Sequence, residues 1–253
     1  MTIKLLVLFL APLLSGLLIY LAPKGRNTNY KLLLVFAGSY LFAITVSHIL
    51  PELYIQYEDI QMIGIFVLAG FFLQLVLEYF TSGIEHGHIH NHGSHDGHNH
   101  HHHQNTVSAF VLLMALCIHA FMEGAMLVQP TAGDPVYNVN AVLLGIALHR
   151  APAAFALMTV LVYQLGSIKK ALPYLVGFSL AAPIGLLLSS YLSSQDMITR
   201  NGLVYLYALV CGNFLHISTT IVFESSPEHR FNALKLVVVL IGAITAVGVE
   251  YLT

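Results

Sequence analysis

Val139-Asn-Ala-Val-Leu-Leu-Gly-Ile-Ala-Leu-His-Arg-Ala-Pro-Ala-Ala-Phe-Ala-Leu-Met-Thr-Val-Leu-Val162 is the stretch whose reading decides the fold. It is long enough to cross the hydrocarbon of a bilayer, which takes about 20 apolar residues in a helix. Yet it carries His149 and Arg150 near its middle, followed by Pro152. Ionisable groups at membrane depth are costly and line a pathway or pair inside a bundle. Pro152 frees a backbone carbonyl one turn earlier and bends the helix, which is tolerable only where protein or water lies alongside. The run therefore reads as a membrane helix with a polar purpose.

Outward from it, apolar runs of similar length lie at Leu5–Ala22, Leu32–Leu50, Met62–Phe80, Val107–Val128, Ala171–Leu192, Leu203–Phe223 and Ala233–Leu252. Prolines and polar clusters separate them, such as Pro23-Lys24-Gly25-Arg26-Asn27, Pro51-Glu52 and Lys169-Lys170. The first run is long for a signal peptide and no small-residue cleavage site follows it, so it reads as an uncleaved span. The expected fold is an all-α integral membrane protein of eight transmembrane helices, one domain over residues 1–253. Composition agrees: 57% of residues are hydrophobic, 9% are charged, and the mean hydropathy is +0.77. A globular domain carries roughly 25% charged residues, so neither a soluble protein nor a soluble domain on one anchor fits. A net charge of −2 offers no basic field, which argues against nucleic acid as a partner. Cys117 and Cys211 fall inside apolar runs and read as small buried hydrophobes.

Orientation follows from lysine and arginine, which concentrate in cytoplasmic loops. With the N-terminus outside, Lys24, Arg26, Lys31, Lys169, Lys170, Arg230 and Lys235 face the cytoplasm, and only Lys4 and Arg200 face out. The outer side also collects Glu52, Glu58, Asp59, Asp134, Asp196 and Glu250. Both termini are expected outside, in the plasma (inner) membrane if the source is prokaryotic.

The connection after the third span, about residues 81–105, holds His86, His88, His90, His92, His95, His98, His100, His101, His102 and His103 among Gly, Asn, Ser and Asp. Such a segment cannot bury enough apolar surface to order itself and is expected to be a flexible cytoplasmic loop. Imidazole suits zinc, copper and nickel, so the tract should bind such ions weakly and in many geometries. It says that the protein meets transition metals, not that it transports them.

The fourth span carries His119 and Glu123, four apart and on one face of a helix. Together with His149 they offer two imidazole nitrogens and one carboxylate oxygen, a three-ligand set for tetrahedral zinc with a fourth position open. The bland alternative is that His119 and Glu123 bond each other and pack two helices. His48, near the end of the second span, and Asn213 with His216, three apart in the seventh, are further intramembrane polar groups and pathway candidates. Glu78 reads as interfacial. The patterns Gly177/Ala181/Gly185 and Gly242/Ala246 permit close helix packing.

These residues together resemble the ZIP (Zrt-/Irt-like protein) family of metal-ion transporters. The resemblance rests on Ser47-His-Ile-Leu-Pro-Glu52, the His-rich loop, His119-Ala-Phe-Met-Glu-Gly124, His149-Arg-Ala-Pro-Ala-Ala-Phe-Ala-Leu157 and Phe178-Ser-Leu-Ala-Ala-Pro-Ile-Gly185, in that order over nearly the whole chain. It implies an inverted repeat of spans one to three and six to eight around central spans four and five. It also implies import of zinc or another divalent ion into the cytoplasm, and homodimers. Many members have a two-metal site, where this chain holds Ala120, Arg150 and Ala153. Arg150 would repel a second ion, so a single-ion site is expected, with Arg150 paired to Glu123 because a bare charge is costly there. No catalytic residue and no prosthetic group is assigned, and the metal is cargo. Two other readings use the same residues: an intramembrane zinc hydrolase with Glu123 as base, against which stands the missing His-Glu-x-x-His motif, and a non-transporting metal sensor or scaffold.

Overall fold

In the computed structural model, residues 1–20, 30–81, 109–130, 135–224 and 233–252 are described. The histidine tract, Lys24, Arg26, Asp134 and Arg230 lie outside them. The described residues form eight helical spans and no strand. Helix α1 (Thr2–Leu17) closes in a 3₁₀ turn, Leu18–Tyr20. Helix α2 runs from Tyr30 to Ile44, widens into a π turn over Thr45–Ile49 and ends as Leu50–Gln56. Then follow α3 (Ile60–Thr81), α4 (Ala109–Ala125), α5 (Val139–Leu165), α6 (Ile168–Ser194), α7 (Arg200–Glu224) and α8 (Ala233–Leu252). Seven are long and apolar enough to cross a membrane, and α4, at 17 described residues, is the short one. The chain is a multi-pass integral membrane protein.

Local chemistry explains the breaks. Pro51 cannot donate to the carbonyl one turn before it, and the π turn lies directly upstream. Thr45 and Ser47 hydroxyls in that turn donate to the Leu41 and Ala43 carbonyls one turn earlier, at 2.7 Å each. Helix α5 starts on Asn138, whose side chain accepts from the N–H groups of Asn140 and Ala141. It stops at Gly166, which takes φ +67°, a left-handed conformation that costs glycine nothing.

The most extensive helix pairs are α3 with α7, α4 with α6, α1 with α5 and α2 with α8. Exchanging α1 with α6, α2 with α7, α3 with α8 and α4 with α5 maps this set onto itself. Odd and even spans run in opposite directions, so the exchange relates the two halves by inversion, as the resemblance implied. Helix α5 is central, with 72% of its apolar window buried against 11% for α8. Exposed residues such as Ile3, Leu68, Phe72 and Ile244 form the belt that meets lipid.

Close packing positions the centre. A Cβ at Gly124 would stand 1.9 Å from the Ala182 carbonyl oxygen, and one at Gly185 would stand 2.0 Å from that of Phe121. Glycine at both positions lets α4 and α6 cross this tightly. The buried apolar residues then fall into two main clusters. One joins Met126 and Val128 with Val142 and Ile146, and the other joins Leu112 and Leu116 with Ala154 and Leu157. Between them, on α4 and α5, lies a polar layer.

Candidate metal centre

That layer consists of His119, Glu123, His149 and Arg150, exposed by only 3%, 0%, 1% and 1%. His119 and Glu123 share one face of α4, with Nε2 3.1 Å from Oε1. His149 lies one turn before Pro152 on α5, and its ring meets that of His119 edge to face at 5.9 Å between centroids. One ligand atom from each of His119, Glu123 and His149 lies within 4.8 Å of the others. The three groups singled out from sequence point toward one another, not apart.

Arg150 completes the layer. Its Nε lies 3.8 Å from Glu123 Oε2, its Nη2 donates to the Phe178 carbonyl at 2.8 Å, and its guanidinium carbon sits 4.8 Å from the centre of the Phe178 ring. A guanidinium buried in this way is stabilised by an anion, a carbonyl and an aromatic face at once. The expected pairing with Glu123 is present. Phe178 as the second partner was not legible, because a backbone carbonyl leaves no mark in sequence. With neutral imidazoles the layer balances one negative charge against one positive.

The family model of the ZIP zinc transporters matches residues 1–250. The chain belongs to the ZIP family. A curated relative, the zinc transporter ZIP9 of Micropogonias undulatus, is 28% identical over 164 residues, which is 62% of this chain and 49% of that protein. The chain thus spans about half the length of this relative.

The remaining polar groups of this ZIP-family chain lie apart from the central layer. His48, in the π turn of α2, is held on both sides: its Nδ1 is 2.6 Å from Glu250 Oε1 on α8, and its Nε2 accepts the Asn138 N–H at 2.9 Å. His216, on α7, has Nε2 2.5 Å from Glu78 Oε2 on α3 and packs edge-on against Phe71. Glu78 therefore packs against the bundle, its side chain 18% exposed. Asn213 directs its amide nitrogen at Met122 Sδ, 4.0 Å away.

A buried turn of this ZIP-family protein carries no mark in the sequence. The segment after α4, Met126-Leu127-Val128, is buried, and its three carbonyls accept in turn from the Tyr137 hydroxyl, from Lys4 Nζ at 3.1 Å and from the Tyr207 hydroxyl at 2.5 Å. Burial first, and then its neighbour Tyr207, hold the Tyr137 phenol well above its ordinary range, so it stays a neutral donor. Lys4, counted as an extramembrane cation from sequence, turns inward. These donors lie in three different parts of the chain, and nothing in their spacing announces a shared target.

Proposed function

We propose that this ZIP-family chain moves a divalent transition-metal ion, zinc first, into the cytoplasm through a single-ion site formed by His119, Glu123 and His149 between α4 and α5. The observation that carries the proposal is the convergence of three ligand atoms within 4.8 Å of one another in a layer enclosed by apolar clusters. A structural zinc is normally closed by four protein ligands, whereas an open fourth position suits an ion that must also leave.

Arg150 sets the number of ions. Two unit charges about 4 Å apart interact with about 4 kcal/mol at an effective dielectric near 20, and a divalent ion doubles that. One ion displaces the guanidinium's hold on Glu123 at tolerable cost, and a second would meet a fixed positive charge. The ligands bind as neutral imidazoles and a carboxylate, so protonation competes with metal and uptake falls as pH drops.

In the proposed cycle, external carboxylates such as Glu52, Glu58 and Asp59 attract the hydrated ion. The Met126–Val128 cover then has to loosen before the ion reaches the centre. His48 could pass an ion inward only by giving up Glu250 or the Asn138 N–H. Lys169, Lys170 and the histidine tract stand on the release side, the tract as a low-affinity acceptor. With both termini outside, release is cytoplasmic. Pairing of two copies, implied by the family resemblance, belongs to the same proposal.

Purified protein in liposomes tests it, with zinc, cadmium, iron and manganese offered in turn. Metal-dependent filling that disappears in His119→Ala is the expected result; filling that survives His119→Ala at the wild-type rate refutes the central site.

A further inference from the structure

Asn213 and His216 occupy one face of α7, three residues apart, and are 0% and 6% exposed. Glu78 Oε2 lies 2.5 Å from His216 Nε2. A carboxylate at that distance accepts the Nε2 proton and leaves the lone pair on Nδ1. Among the described residues, neither His216 Nδ1 nor Asn213 Oδ1 has a hydrogen-bond partner, and both atoms are shielded from solvent. The Met122 thioether stands beside the Asn213 amide at 4.0 Å. Two buried lone pairs on one face of α7 thus have no proton offered to them, beside a thioether that faces the N–H side of the same amide.

Buried acceptors are normally paired with a donor. An imidazole whose far nitrogen is held by a carboxylate is the usual arrangement of a metal-bound histidine, because the carboxylate fixes the tautomer and turns the free lone pair toward the ion. The geometry points to a second, weaker ion-binding stop here, formed by His216 Nδ1, Asn213 Oδ1 and Met122 Sδ, with Glu78 as the orienting carboxylate behind the imidazole. His48 gives the internal contrast: it too faces a carboxylate, but its other nitrogen already accepts an N–H.

The ligand set defines the cargo. Imidazole, amide oxygen and thioether are all neutral, so the stop binds weakly, and the sulfur favours softer ions such as cadmium or zinc over manganese. Met122 directly precedes Glu123 on α4, so neighbouring residues of one helix carry a ligand of the stop and a ligand of the central site. In purpose, as a resting place along the path, it rests on the transport reading. As a binding site it is tested alone.

The probe is cadmium, measured by equilibrium dialysis on the full chain with the ten tract histidines changed to serine. Two ions of unequal affinity per chain are expected. His216→Ala, and the milder Asn213→Leu and Met122→Leu, should each weaken the second ion at least about ten-fold while leaving the first. His119→Ala with His149→Ala should remove the first and leave the second. X-ray absorption at the cadmium edge should show a sulfur neighbour that Met122→Leu deletes. A single ion in the parent chain, or a second ion indifferent to all three variants, overturns the stop. A second ion lost with His216, beside a first that ignores His119 and His149, upholds the stop and sinks the central site instead.

Discussion

Two histidine–carboxylate pairs sit at places exchanged by the internal repeat, His48 with Glu250 across α2 and α8, and His216 with Glu78 across α7 and α3. The contacts are nearly the same length, 2.6 and 2.5 Å, yet the two imidazoles have different chemistry left over. His48 spends its second nitrogen on the N–H of Asn138, the residue that caps α5, and so ties the π turn of α2 to the start of the central helix. His216 keeps its second nitrogen buried and without a hydrogen-bond partner among the described residues. A shared motif thus yields a clamp in one half and a potential ligand in the other. What separates them is the third group within reach, not the pair.

The largest effect comes from the group on which both pairs' relevance depends. Glu123→Ala should abolish vesicle filling, and because it leaves Arg150 buried without its anion it should also cost about 3–5 kcal/mol of stability. Adding Arg150→Ala should recover much of the stability, read by thermal unfolding in detergent, and none of the transport. Recovery of filling in that double variant would mean that the carboxylate serves the arginine rather than the ion.

Matched alanines separate the two pairs. His216→Ala should raise the KM for zinc uptake about ten-fold with a modest change in unfolding temperature. His48→Ala removes two hydrogen bonds, each worth about 0.5–1.5 kcal/mol, so it should lower stability and leave KM close to wild type. If the two swap, with His48 governing KM, the assignment of clamp and ligand is reversed.

Arg150→Glu probes the ion count. It should let the central layer take one further zinc per chain, measured by dialysis at saturating metal with the tract histidines replaced. An unchanged count would remove Arg150 from its role as a substitute charge. The smallest effect is expected from Tyr207→Phe, which deletes the hydrogen bond to the Val128 carbonyl. About 1 kcal/mol of stability should go, with ion affinity unmoved. A large fall in affinity would tie the outer cover directly to the site.

Much of this was legible in residues taken one at a time. Apolar runs of bilayer length announced the helices, since the hydrocarbon admits little else. The i, i+4 spacing of His119 and Glu123 placed both on one face, and the cost of a bare guanidinium at depth pointed Arg150 toward Glu123. Other features were hidden. Lys4 read as an outward-facing cation outside the membrane, and only the fold shows it reaching the Leu127 carbonyl 123 positions away. Glu78 ends an apolar run, and only the packing of α3 on α7 shows that it meets His216.

The sequence by itself determined the solvent of this protein, the number of its spans and the side chains able to hold an ion, because hydrophobic length and residue chemistry are local properties. Tertiary structure alone decided which of those side chains meet and which lone pairs remain unspent. A hydrogen bond is set by ångströms between helices distant in the chain, and no spacing along one helix contains that distance.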